Sequence, residues 1–274
     1  MLTQHLCFIG GGNMASSLIG GLVANDYDAA CITACDIDTV KLEMLADKFG
    51  ISTSADSHAA AREANVVILA VKPQVMQQVC EQLVGVDNEV DCLYISIAAG
   101  IREQEINRWL GGNRAVVRCM PNTPALIRLG ATGMFANSRV SDGQKQLAED
   151  ILTAVGIALW VDQESELDAV TAISGSGPAY FFYFIELLQQ AGTKLGLKQN
   201  TARLLALQTA LGAASMARNG DVVELRKQVT SKKGTTEQAI SSFQHSDLAS
   251  VINRATKAAN DRSKELGEEF SQQI

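Results

Sequence analysis

The spacing of apolar residues along the chain changes character once. From Gln4 to about Asp162, short β-rich runs alternate with stretches in which apolar residues recur every three or four positions. Runs at 5–9, 31–35, 66–71, 92–97 and 115–119 predict strands, with helices near 14–24, 39–48, 73–84 and 102–110 between them. Runs at 131–135 and 157–161 flank a helical period at 142–154 and extend the same sheet. That alternation predicts a parallel sheet with helices on both faces. After Asp162 no strand-like run follows; helical periods occupy 164–173, 178–196, 199–218, 221–229, 235–243 and 247–266. The pattern therefore divides an α/β domain (1–162) from an all-helical domain (163–274).

Ser176 followed by Pro178 reads as the start of the long second helix of the helical half, and Gly220 as the stop of its third. The first two turns of that second helix, Ala179 to Ile185, are almost wholly apolar. A helix apolar on all sides must be covered on all sides. A domain of this size predicts that a second copy of the chain supplies part of the cover, giving a homodimer.

At 47% hydrophobic and 19% charged residues the chain is of ordinary globular composition. The N-terminal run has neither the basic start nor the cleavage site of a signal peptide, and no apolar stretch reaches membrane-spanning length. A soluble, cytoplasmic protein with no membrane partner is expected. Segment 163–274 carries 12 basic and 12 acidic residues, so the whole excess behind the net charge of −7 lies before it, which argues against nucleic acid. Six cysteines, all in the first half, show no metal or small-disulfide spacing and read as reduced core thiols. Three scattered histidines make a His/Cys metal site an unattractive reading.

The chemistry begins at Phe8-Ile9-Gly10-Gly11-Gly12-Asn13-Met14-Ala15, where a strand runs through glycines into a helix, the layout of a dinucleotide-binding βαβ unit. Gly10 permits the sharp turn, Gly12 lets backbone approach a pyrophosphate, and Ala15 lets helix and strand pack closely. Asp36 closes the second strand, where an acidic side chain holds ribose hydroxyls and suits NADH; it could equally cap the following helix. Lys72, in Ala70-Val71-Lys72-Pro73, lies at the sheet rim and can donate to the nicotinamide half or merely be solvated. Small residues from Ser96 to Gly100, Ala98 among them, leave room for a planar ring or for a close helix. Met120-Pro121-Asn122-Thr123-Pro124-Ala125 is a stiff loop displaying an amide and a hydroxyl, suited to cofactor or substrate contact or to a plain turn. Ser57 completes the candidate cofactor set. Ser174–Pro178 reads as a glycine turn entering the helical half. Finally Arg226, Lys227, Lys232 and Lys233 precede Gly234-Thr235-Thr236, which opens a helix; bases, hydroxyls and free N–H groups together make a carboxylate site.

Taken together, Phe8–Met14, Ala70–Pro73, Ser96–Gly100, Met120–Ala125, Ser174–Ala179 and Ser231–Thr236 resemble pyrroline-5-carboxylate reductase, in order, from residue 8 to at least 240. The resemblance implies a Rossmann-type domain followed by an all-α dimerisation domain, in dimers that can assemble further. It implies reduction of 1-pyrroline-5-carboxylate to L-proline by NADPH or NADH, the last step of proline synthesis. It also implies that Gly10, Gly12, Asn13, Met14, Lys72 and Pro73 touch cofactor and that Ser231, Gly234, Thr235 and Thr236 meet substrate. Where the family usually has Ser-Pro-Gly-Gly-Thr-Thr, this chain has Ser231-Lys232-Lys233-Gly234-Thr235-Thr236. The family often prefers NADPH, at odds with Asp36.

The mechanism expected from these residues places the substrate carboxylate on Ser231 and the N–H groups of Gly234 and Thr235, with the Thr236 hydroxyl on the ring nitrogen. The rival is a β-hydroxyacid or phosphogluconate-type dehydrogenase. That family resembles G-x-G-x-x-x-K-x-x-N at the start of the long helix, and here Gly175 and Gly177 are followed by Phe181 and Phe184 with neither lysine nor asparagine. A non-catalytic nicotinamide-sensing module is the third reading.

Overall fold

The computed structural model describes residues 4–86 and 91–272. It comprises two compact units: one runs up to Ser176 and resumes at Ala259, and the other is Gly177–Ala258. The first unit holds strands β1 (Leu6–Ile9), β2 (Ile32–Cys35), β3 (Ser52–Ser54), β4 (Val66–Leu69), β5 (Leu93–Ser96), β6 (Ala115–Met120), β7 (Gly130–Ala136) and β8 (Gly156–Trp160). Its helices are α1 (Asn13–Ala24), α2 (Thr39–Phe49), α3 (Ser57–Arg62), α4 (Pro73–Gln82), α5 (Glu103–Trp109), α6 (Asp142–Thr153) and α7 (Glu166–Val170).

The strands form one sheet in the order β3-β2-β1-β4-β5-β6-β7-β8. Successive residues of β1 point to opposite faces: Leu6 and Phe8 enter one apolar layer, Cys7 and Ile9 the other. With both faces covered the strands read as unbroken apolar runs. The sheet is parallel except where β7 runs antiparallel to β6, in the register Cys119↔Met134, so the all-parallel expectation is corrected at one seam. The β3 strand and α3 also escaped the sequence reading. Ser-Thr-Ser at an exposed edge has no buried side to leave a hydrophobic trace.

The compact units divide later than the 162/163 boundary. Beyond β8, α7 stays with the sheet: a Cβ on Gly133 of β7 would lie 2.7 Å from Val170 and 3.2 Å from Leu167. The backbone then passes through a π-turn (Thr171–Gly175) and Ser176 keeps right-handed helical angles, so no open glycine turn intervenes, while the long helix begins at Gly177, where Ser176 and Pro178 signal its start. Ser263, near the end of the last helix α12 (Leu248–Gln272), donates to Asp168 at 2.7 Å, which ties that stretch to the first unit.

The second unit contains α8 (Gly177–Lys194), α9 (Gln199–Ala217), α10 (Val222–Gln228), α11 (Thr235–His245) and the first part of α12. Small residues let α8 and α9 approach, since a Cβ on Gly192 would lie 3.0 Å from that of Ala202. Asp221 caps α10, accepting from Val223 and Glu224.

Candidate functional site

Parallel register brings the carboxyl ends of the central strands into line: Ile9 pairs with Cys35 and Leu69, and Leu69 with Ser96. Gly10, Asp36, Ala70 and Ile97 therefore follow one another along a single sheet edge. Chain connection reverses there between β1 and β4, the place where open α/β sheets bind ligands.

The glycine turn is built tightly. Gly10 has φ +108° and donates to the Cys35 carbonyl at 2.7 Å, and a Cβ there would lie 2.5 Å from the Ala70 carbonyl oxygen. Gly12 precedes α1 with ordinary backbone angles, and nothing lies within 4 Å of where its Cβ would stand. No side chain caps α1, so the first N–H groups of the helix face the open space beside Gly12. This uncapped, unobstructed helix start fits a pyrophosphate. Asn13 is exposed beside it and Met14 packs on the core.

Asp36 does not cap α2. Asp38 does, accepting from Val40 at 3.2 Å and Lys41 at 3.3 Å. The Asp36 carboxylate instead accepts from the N–H of Gly11 at 2.7 Å and of Asp38 at 3.0 Å, pinning the glycine turn to the end of β2. Lys72 stands exposed immediately before Pro73, the first residue of α4, with no capping bond. Ser57 opens α3 behind its cap Asp56.

Two expectations change. Asn122 is not displayed but buried: its Nδ2 donates to the Ser174 carbonyl at 2.9 Å and its Oδ1 accepts from Ala131 at 2.9 Å, bracing the loop after β6. Ala98 is buried as well, and Gly100 (φ +80°) lies against Leu266 and Phe270 of α12, so a close helix occupies part of that small-residue stretch.

In the second unit, Gly234 closes a turn by donating to the Ser231 carbonyl at 2.9 Å. Its N–H is thus engaged within the turn, against the expectation that it serves a carboxylate, while no side chain caps the start of α11 at Thr235 and Thr236. Gly234 is required by proximity: its Cβ would lie 2.4 Å from the Ser231 hydroxyl. Lys233 takes the left-handed conformation (φ +61°), and its N–H donates to the Glu237 carboxylate at 2.6 Å. The turn is therefore retained with lysine at a conformation that glycine adopts more cheaply. Arg226 and Lys227 lie apart from this turn, on α10, with Lys227 paired to Glu224 at 2.7 Å. They line an open hollow with Glu237, Gln238 and Gln244 that includes neither Ser231 nor the two threonines.

Burial pushes the Cys80 thiol up to about 12 and raises Cys7 and Cys119 further, so these cysteines stay protonated core residues.

A family model described as pyrroline-5-carboxylate reductase dimerisation matches residues 164–266, and one described as NADP oxidoreductase coenzyme F420-dependent matches 5–100. A pyrroline-5-carboxylate reductase from Pseudomonas aeruginosa is 50% identical over 99% of this chain and its own full length. The chain belongs to the pyrroline-5-carboxylate reductase family. A solved structure of a pyrroline-5-carboxylate reductase from Coxiella burnetii is similar with a TM-score of 0.94 at 46% identity, covering 97% of this chain and 99% of that one. The Plasmodium falciparum enzyme of this family, solved with NADP bound, matches with a TM-score of 0.83 at 29% identity over 97% of this chain and 99% of its own. Among the described residues no helix is long and apolar enough to cross a membrane.

Proposed function

We propose that this chain reduces 1-pyrroline-5-carboxylate to L-proline with NADH or NADPH, as a cytoplasmic homodimer. The observation that carries the reading is family identity over the full length of the chain together with the uncapped N-terminus of α11 behind Ser231. Six cysteines with no disulfide between them suit a reducing compartment.

A bound reduced nicotinamide supplies the hydride. The α1 N-terminus and Gly12 would hold its pyrophosphate, Lys72 and Pro73 its nicotinamide half, and Asp36 its ribose. The N–H groups of Thr235 and Thr236 and the Ser231 hydroxyl receive the imine's carboxylate, and the Thr236 hydroxyl bonds the ring nitrogen. The protein's task is orientation. Of the three histidines, His5 bonds Thr33 at 3.0 Å, His245 bonds Ser241, and His58 lies on α3. No histidine acid serves the nitrogen, so its proton arrives with an already protonated imine or from water.

The test is oxidation of reduced nicotinamide on adding pyrroline-5-carboxylate, in wild type and in Thr236→Val. The variant should lose turnover by about a hundredfold, the scale for one transition-state donor, and bind dinucleotide as before. Unchanged turnover removes Thr236 from the reaction.

A further inference from the structure

The loop that follows β5, Ile97–Ile101, makes backbone bonds of its own only at its start. Ile97 N–H donates to the Leu69 carbonyl at 3.2 Å and Ala98 N–H to the Ser96 hydroxyl at 3.4 Å. The N–H groups of Ala99, Gly100 and Ile101 find no acceptor among the described residues, so the far end of the loop is placed from outside. There Arg102 donates to Asp168 of α7 at 3.2 Å, and the N–H of Glu103 donates to Glu164 at 2.6 Å. Asp168 is 1% exposed, and its other oxygen accepts from Ser263 of α12 at 2.7 Å. Arg102 lies against that same helix, where a Cβ on Gly267 would come 3.0 Å from its Nε. A buried carboxylate is costly without donors. Here the donors come from elements far apart in sequence, so one charge fastens the start of α5 and the end of α12 to α7.

We propose that Asp168 is a positioning residue for the reduction: by holding Arg102 and Ser263 together it fixes the Ile97–Ile101 loop, and with it the place where the nicotinamide ring rests. The inference rests on the cofactor assignment above and adds residues that touch neither cofactor nor substrate. With the pyrophosphate at β1 and the adenosine ribose at β2, strand order sends the nicotinamide half the other way, across the ends of β4 and β5. The end of β5 is two strands, about 10 Å, from β1. Ala98, Gly100 and Ile101 are buried there, whereas Ile97 and Ala99 stay half-buried at the rim. Asp168→Asn keeps the side chain's size and an acceptor for Ser263 but removes the charge that holds the guanidinium, so Arg102 and the far end of the loop are released.

Full-length protein is titrated with NADH, NADPH and ADP-ribose, which lacks the nicotinamide, and is assayed with pyrroline-5-carboxylate. Asp168→Asn should lower kcat by about tenfold, within the range that small misplacements of reacting groups produce. It should weaken both dinucleotides by about threefold and leave ADP-ribose binding as in wild type, because the adenosine and pyrophosphate contacts are untouched. Ser263→Ala, which keeps the Asp168–Arg102 pair, should move kcat the same way by less, and Ser263→Thr, which keeps the hydroxyl, should restore it. If Asp168→Asn does not fold, the two serine variants decide alone. A lowered Tm with kcat and dinucleotide binding unchanged, or equal losses for ADP-ribose and the dinucleotides, makes the contact purely structural and overturns the proposal. Wild type that binds neither ADP-ribose nor dinucleotide overturns it together with the cofactor assignment. Wild type that binds all three without turning over pyrroline-5-carboxylate sinks the reaction, and the change in dinucleotide against ADP-ribose binding then decides the role of Asp168.

Discussion

At the scale of single residues, the glycines of the first turn do different work. Gly10 is demanded twice, by φ +108° and by the Ala70 carbonyl 2.5 Å from any Cβ, whereas Gly12 is demanded by nothing inside the chain. Gly10→Ala should therefore destabilise the protein by about 1–3 kcal/mol, the usual cost of a strained backbone position, and show a lowered Tm with or without cofactor. Gly12→Ala should melt with wild type and lose NADH affinity, since its methyl would project into the open space proposed for the pyrophosphate. If Gly12→Ala binds NADH unchanged, the space beside it is not the phosphate site. Motif spacing identified both positions but could not separate them, because internal and ligand demands on a glycine look alike in one dimension. For the same reason spacing could not tell that Asp38, and not Asp36, caps α2. Two acids two residues apart are interchangeable until the turn of the chain gives each its donors.

At the scale of elements, the first unit is held across its far edge by a polar network that hydrophobic periodicity cannot reveal. Arg118 on β6 is 3% exposed and pairs with Glu164 at 2.9 Å, and the same carboxylate oxygen accepts from the N–H of Glu103 at 2.6 Å. Glu103 in turn accepts from Asn137 at 2.6 Å, and burial, with Glu164 nearby, holds its carboxyl above the usual range. Removing Glu164 leaves a guanidinium buried and unpaired. Glu164→Ala should cost about 3–5 kcal/mol in urea unfolding, and adding Arg118→Leu should restore much of it. A loss below about 1 kcal/mol, the scale of an exposed pair, would mean that water reaches Arg118. Elements with an apolar face were legible in advance; β3, which has none, was not. The antiparallel turn of β7 also left no trace, because strand direction depends on the path of the connection and not on side-chain alternation.

At the scale of the whole molecule, the second unit leaves large apolar side chains exposed. Phe181, Phe182 and Tyr183 follow one another on α8, each at least 61% exposed, and Leu204, Leu205, Leu207 and Leu211 of α9 are at least 46% exposed. Apolar surface on that scale marks an interface, in the part of the chain matched by the dimerisation family. Phe181→Glu with Phe182→Glu should convert a dimer or larger assembly to monomer in sedimentation velocity; an unchanged sedimentation coefficient would place the interface elsewhere.

The sequence by itself determined the alternation of strand and helix, the glycine turn, the helical second half and the family, because each is written in local spacing and residue type. Tertiary structure alone decided which donors remain available. It spent the Gly234 N–H on Ser231 and buried Asn122 as a brace; it gave Asp36 to Gly11, and packed α7, which lies beyond Asp162, on β7. Hydrogen-bond capacity is consumed by neighbours distant in sequence, so it is knowable only once the chain is folded.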